Sequence, residues 1–390
     1  MANANRLNPH GLKIALVLQG GGALGAYQAG VFQAMHEHDL APDWVVGTSI
    51  GAINAALIAG NPHEHRVQRL RTFWERISHP DPVDMQRLSD RARRNNIWLS
   101  TIDTLVRGVP GFFRPRWYQQ FALGVPVAPE QASFYNTGEL RETLLELVDF
   151  DYLNAPQGMR MTVNAVNVGS GELVHFDSTA MRLEVDHILA SCSLPPGFPP
   201  VRIDGALYWD GGLYSNTPLE SVLNGMPQGD VLCFMVDLWS AHGPEPLTFD
   251  EVQTRQKDVT YASRSRRHIA DYARLHRLQC KLRELYARMD PAERSPEDER
   301  ELVALGCATT LHIVRLPYSG RDWNMAAKDI NFSKGSIDWR WDQGYRDAMR
   351  ALGHAGWLSQ IAEDAAVVVH ELPERRSRPE SRPPEPDRWA

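Results

Sequence analysis

One serine, flanked by glycine two residues away on either side, is the side chain of this 390-residue sequence best placed to do chemistry. In Gly47-Thr48-Ser49-Ile50-Gly51 an apolar run from Trp44 leads in, and the small residues Ala52 to Ala56 lead out in a helical pattern. Strand, tight turn and helix in that order make a nucleophile elbow. Backbone at such a turn is strained and crowded, which is why the flanking positions are Gly47 and Gly51. The turn lifts the Ser49 hydroxyl off the sheet and aims the first amides of the helix, partially positive, at the same point. A reaction that builds up an oxyanion fits that arrangement.

Two further stretches qualify. Lys13 to Leu18 reads as a buried parallel strand, and Gln19-Gly20-Gly21-Gly22-Ala23-Leu24-Gly25 follows it into a helix that runs on through His36. A loop of this kind presents backbone amides to an anion. Gly20, Gly22 and Gly25 satisfy GxGxxG, but the acidic residue of a dinucleotide site is missing from the end of the next strand, where Ser49 stands instead. The loop is therefore read as an oxyanion site serving Ser49. Farther on, Trp209-Asp210-Gly211-Gly212-Leu213 places a carboxylate at a strand end before two glycines. Asp-Gly pairs mark turns in many chains, so Asp210 draws its weight from the elbow and glycine loop that accompany it.

The elements that must position these residues are legible in outline. Arg160 to Val168 and Leu173 to Phe176 form a hairpin through Gly169-Ser170-Gly171-Glu172, and His175 within it is read as structural. A proline-fixed loop, Leu194 to Val201, precedes a second hairpin turning at Asp204-Gly205. Strands are expected at Val231 to Leu238 and Leu311 to Leu316, and helices over 61–84, from Gly138, and near Met349 to Ile361. From Val259 to Met289, Tyr272, Leu275, Leu278, Leu282, Leu285 and Met289 step by three and four; this predicts a helix packed on the core with a solvated basic face. Residues 85–130 interleave Arg91, Arg93, Arg94, Arg107, Arg114 and Arg116 with Trp98, Phe112, Phe113, Trp117, Tyr118 and Phe121. That mixture suits a lid or a membrane-interfacial patch as well as it suits an insertion burying its aromatics. Beyond Glu371 the Arg-, Glu- and Pro-rich tail is expected to lack structure.

Composition narrows the function. With 43% apolar and 23% charged residues the chain is an ordinary globular protein, long enough for one large domain or two. A net charge of -7 argues against a nucleic-acid partner. Cys192, Cys233, Cys280 and Cys307 lack disulfide or metal spacing and read as thiols in a reducing compartment. No leader segment and no run of about 18 apolar residues is visible, so a cytoplasmic protein is expected, with peripheral membrane contact and homo-oligomerisation both left open.

With these blocks in hand, the chain resembles the patatin-like phospholipases, specifically bacterial members with a C-terminal extension. Gly20-Gly21-Gly22-Ala23-Leu24-Gly25, Gly47-Thr48-Ser49-Ile50-Gly51 and Asp210-Gly211-Gly212 match in the family's order, and Pro195 to Val201 is similar to its proline segment. The resemblance implies a three-layer α/β/α fold with a mainly parallel central sheet over residues 12–240, a mainly helical extension over 241–370 and a tail over 371–390. It also implies a Ser49-Asp210 dyad with Gly20, Gly21, Gly22 and Ala23 at the oxyanion hole, supported by Gly25, Gly47, Gly51, Gly211 and Gly212. Lipid or other acyl esters are the implied substrates, with no metal or organic cofactor. Two positions depart from the family: Gln19 where many members have an acid, and Leu24 where many have Arg or Lys.

Three other readings compete. A Ser-His-Asp hydrolase would need a histidine after the acid; His242, His268, His276, His312, His354 and His370 are available, but none follows a strand in a recognisable loop. Shorter soluble esters, hydroxyacyl oligomers included, are the alternative substrates. A membrane-associated scaffold without activity is opposed by the intact reactive blocks.

Overall fold

A computed structural model describes residues 12–81, 90–117, 124–225, 230–262, 264–290, 310–320, 325–353 and 367–371, with isolated positions between 294 and 300. Tyr118, Phe121, Cys307, His354 and the tail beyond Glu371 lie outside the described residues, as do the side chains of Arg91, Arg93 and Arg94.

The framework is one nine-stranded, mainly parallel sheet. Its strands are β1 (Lys13–Leu18), β2 (Trp44–Gly47), β3 (Arg160–Asn167), β4 (Leu173–Asp177), β5 (Val201–Ile203), β6 (Ala206–Asp210), β7 (Val231–Asp237), β8 (Leu311–Pro317) and β9 (Val367–Glu371). They lie in the order β9-β8-β7-β1-β2-β3-β6-β5, with β4 also on β3. The pairs from β9 through β3 are parallel, and β4, β5 and β6 add antiparallel partners at one side. The Asp204-Gly205 turn between β5 and β6 has positive φ at both residues, 48° and 84°, the geometry that pair was expected to supply.

Both faces of the sheet are covered, which explains the unbroken apolar runs of β1, β2 and β7. On one face Leu16, Leu18, Val45, Val163 and Phe234 pack against α1 (Ala26–Glu37), α2 (Ile50–Ala59), α3 (Arg66–Arg76), α5 (Gly138–Leu147) and α6 (Val185–Ser191). On the other, Ala15, Val17, Val46, Cys233 and Met235 meet α7 (Leu219–Asn224) and the start of α9 (Ser265–Arg288). The last helix, α10 (Lys334–Gly353), lies along α1. A Cβ on Gly30 would stand 1.9 Å from the Trp341 carbonyl oxygen, and one on Gly344 2.0 Å from that of Tyr27, so this crossing is backbone against backbone.

Several boundaries differ from the sequence reading. The helix expected from Val259 is two, α8 (Phe249–Tyr261) and α9, and α8 starts at a Thr248/Glu251 capping box. The leucine stripe of α9 is not packed on the core. Leu275, Leu278, Leu282 and Leu285 are each just over half exposed, between 51% and 55%, and among its described residues Ile269 and Tyr272 pack against the sheet. Spacing set the stripe's periodicity, but α9 leaves the sheet surface after its first two turns. Helix α4 (Asp90–Arg107) exposes Trp98, Leu99, Ile102, Leu105 and Val106. Phe112 and Phe113, by contrast, are buried.

Candidate active site

The elbow and Asp210 meet because two strands share one edge of β3. Strand β2 ends with Gly47 opposite Val163. Strand β6 runs the other way and ends with Asp210 opposite Ala165. The hairpin strand β4 pairs with both Val163 and Ala165, so it holds the opposite edge. The carboxyl ends of β2 and β6 therefore run toward each other and nearly abut.

At the tip of the elbow Ser49 has φ 54° and ψ -125°, a conformation that is sparse for any residue with a side chain. Its amide donates to Ser191 Oγ at 3.1 Å, and its carbonyl accepts from the Ala52 amide at 2.8 Å and Cys192 Sγ at 3.1 Å. A Cβ on Gly47 would lie 2.3 Å from the Gly51 carbonyl oxygen, and one on Gly51 2.2 Å from that of Leu18. No side chain fits at either position without moving the backbone.

Asp210 is 2% exposed. One of its carboxylate oxygens accepts the Gly212 amide at 2.7 Å. Burial pushes its pKa up to about 7, while the Gly212 amide and the neighbouring Ser49 hydroxyl pull it part of the way back. A carboxylate tuned to that range takes and returns a proton near neutrality. Between the two strand ends lies Asn164, fully buried on β3. It accepts from Thr48 Oγ1 at 2.6 Å and donates to the Ser215 carbonyl at 3.0 Å. A Cβ on Gly211 would come within 2.5 Å of Asn164 Oδ1. Asn164 thus pins both turns, and the sequence signal for it is an asparagine in the middle of an apolar strand. Ser191, which anchors the Ser49 amide, carried no comparable signal.

The amides of the glycine loop divide into two pairs. The Gly20 amide donates to the Asn216 carbonyl at 3.1 Å and the Ala23 amide to the Asp329 carbonyl at 2.8 Å. Those of Gly21 and Gly22, and that of Ile50 after the serine, have no acceptor among the described residues. Gly20, Gly21, Gly22, Ser49, Ile50, Asp210 and Gly212 all line one cavity of about 280 Å³. Ala23, Gly25, Gly47, Gly51 and Gly211 stand behind it. The rest of its wall is mostly apolar, with Phe112, Phe113, Tyr135, Phe198 and Phe332 in it, and Asp329 also lines it. Among the described residues neither a histidine nor a cation lines it. His175, set apart from this cavity, pairs with Ser221 at 3.0 Å. Among the described residues no group of three or more His, Cys, Asp or Glu is arranged to hold a metal ion.

The two departures at the loop have structural accounts. Gln19 is fully buried; its carbonyl oxygen accepts the Leu238 and Trp239 amides while its nitrogen donates to Thr217 Oγ1 at 2.7 Å and the Tyr261 carbonyl at 2.9 Å. A carboxylate could not pair with the Tyr261 carbonyl. Leu24 is fully buried in the core and does not face the cavity.

Fold and site together define an α/β protein with a serine elbow opening on an apolar cavity. The chain belongs to the patatin-like phospholipase family: the model of that description matches residues 16–223, and a second, described as patatin phospholipase, matches 259–364. It is similar to the lysophospholipase NTE1 of Candida glabrata, 26% identical over 250 residues, covering 62% of this chain and 11% of that protein. An uncharacterized NTE family protein of Mycobacterium tuberculosis is 28% identical over 229 residues, covering 58% of this chain and 30% of its own. The chain thus spans less than a third of each. Among solved structures, VipD from Legionella pneumophila aligns with a TM-score of 0.37 and 14% identity, over 88% of this chain and 67% of its own.

Proposed function

We propose that this protein is a serine acyl hydrolase that cleaves lipid acyl esters. The observation carrying the reading is that Ser49, at the tip of its elbow, and the buried carboxylate Asp210 line one apolar cavity. Ser49 Oγ attacks the ester carbonyl and its proton passes to Asp210. The Gly21 and Gly22 amides, left without acceptors, stabilise the oxyanion; each donor of this kind is worth about 3 kcal/mol in known cases. Collapse expels the alcohol, which takes the proton from Asp210, and leaves an acyl group on Ser49. Water then attacks the acyl-enzyme with Asp210 again as base. Gly20 and Ala23 hold the loop in place rather than donate to the oxyanion.

The apolar wall takes the acyl chain, and the head group stays outside the cavity. Substrate would enter from a lipid surface. Thr104 and Leu105 of α4 line the cavity, and the same helix turns Trp98, Leu99, Ile102 and Val106 to solvent. No helix among the described residues is long and apolar enough to cross a membrane, and the contact proposed is a peripheral one.

The test is labelling by a fluorophosphonate probe in wild type and Ser49→Ala, beside fatty-acid release from lysophosphatidylcholine and from short p-nitrophenyl esters. Labelling that requires Ser49, with release from the lipid, supports the reading. Cleavage of short esters alone transfers the activity to soluble substrates, and absence of Ser49-dependent labelling overturns catalysis.

A further inference from the structure

Ala23 is anchored by a residue more than three hundred positions away. The Asp329 carbonyl accepts the Ala23 amide at 2.8 Å, and the same oxygen would lie 2.3 Å from a Cβ on Gly22, whose φ is +54°. Asp329 therefore holds one end of the glycine loop and shapes the turn at Gly22.

Asp329 is itself held from α8. Lys257 Nζ reaches its two carboxylate oxygens at 2.7 and 3.0 Å and the Ala326 carbonyl at 2.8 Å. The neighbouring residues pair crosswise: Lys328 Nζ meets Asp258 Oδ1 at 2.6 Å and lies 4.9 Å from the centre of the Trp239 ring. Trp239 in turn donates from Nε1 to the Gly20 carbonyl at 2.8 Å. Fully buried Arg340 closes the arrangement, donating to the Lys328 and Asn331 carbonyls at 2.8 and 3.0 Å. The Tyr261 carbonyl at the end of α8 accepts from Gln19 and Asn216. Each of these supports beyond Asn216 lies between residues 239 and 340.

We infer that Lys257 and Asp329 are positioning residues for the oxyanion loop, and that the C-terminal segment completes the catalytic site instead of lying beside it. Their ion pair fixes the carbonyl that holds Ala23, and so the direction in which the unpaired Gly21 and Gly22 amides point. The geometry matters because a donor displaced by about 1 Å can cost a hundredfold in rate. A loop of small residues carries little packing of its own to resist that displacement. This inference rests on the hydrolase reading proposed above.

The test uses the full chain with Lys257→Met, Lys257→Arg, Asp329→Asn and the Lys257→Met/Asp329→Asn double variant. Readouts are kcat and KM on a short p-nitrophenyl ester, the rate of fluorophosphonate labelling, and Tm. The expected result is a ten- to hundredfold loss in kcat and labelling rate for Lys257→Met and Asp329→Asn, with KM changed less than about threefold. Lys257→Arg recovers most of the rate, and the double variant is no slower than the slower single one. Unchanged kcat in the folded single variants overturns the inference, as does additive loss or a loss confined to KM. Should Lys257→Met fail to fold, the near-isosteric Asp329→Asn decides by the same criteria. A wild type that shows no Ser49-dependent labelling sinks the hydrolase reading instead, so the two failures are distinguishable.

Discussion

Ser49 and Asp210 lie at the ends of two strands that approach each other along a single edge of β3, one parallel to it and one antiparallel. Gly47 faces Val163 and Asp210 faces Ala165, only two positions apart. Residues 161 positions apart in sequence are thus brought to the wall of one cavity by register. Asn164, between those two β3 positions, ties down both turns.

In the proposed mechanism Asp210, with a pKa of about 7, must be ionised to take the serine proton, so activity is expected to rise with pH and level off above that value. A kcat profile on a soluble ester is expected to show one acidic limb near neutrality. A profile flat from pH 5 to 8 would remove Asp210 from the role of base.

Asp210→Asn should lower kcat by about 10³-fold, within the range for loss of a general base, while stabilising the fold. Burial raises the folded-state pKa from 3.8 to about 7, so the stability linked to this proton is complete below the lower value and is lost as pH rises through the upper one. The neutral variant escapes that loss, which amounts to on the order of 4 kcal/mol at full ionisation. Urea denaturation is expected to show the variant gaining on wild type between about pH 4 and 7, with a constant margin above. A variant less stable than wild type at pH 8 would contradict this.

Ser49→Gly and Ser49→Ala should both abolish turnover but differ in stability. Alanine keeps the cost of a side chain at φ 54°, ψ -125°, whereas glycine relieves it. The glycine variant is expected to be the more stable by about 1 kcal/mol. Equal melting temperatures would mean that the elbow is unstrained.

Gln19→Glu removes a donor from beneath the glycine loop. The Tyr261 carbonyl loses one of its two donors and keeps Asn216, while the new carboxylate oxygen faces that carbonyl in a fully buried setting. Burying an acceptor against an acceptor costs about 1–3 kcal/mol. Tm is expected to fall, and to fall further as pH rises and the new carboxyl ionises. A glutamate tolerated at wild-type stability would show that the loop does not depend on this amide.

Replacing Trp98 and Leu99 by serine tests the exposed face of α4. Sedimentation with phospholipid vesicles is expected to drop several-fold, while kcat on a soluble ester stays within about twofold. Unchanged vesicle binding would direct attention to another surface.

Local backbone geometry was legible in the sequence, because it is written in neighbouring residues. The glycines around Ser49, the glycine loop after β1, the Asp204-Gly205 turn and the apolar runs of a two-sided sheet each state their own conformation. What depends on residues far apart was not legible. Only strand register placed Asp210 against the elbow, and only the packing of residues 239–340 settled that Ala23 is tethered and the Gly21 and Gly22 amides are not. The same limit applies to α9, where spacing marked an apolar stripe but could not say whether a neighbour lay across it. Propensity and turn chemistry act over a few residues, whereas hydrogen-bond partners and burial are decided by which distant segments the sheet order brings together.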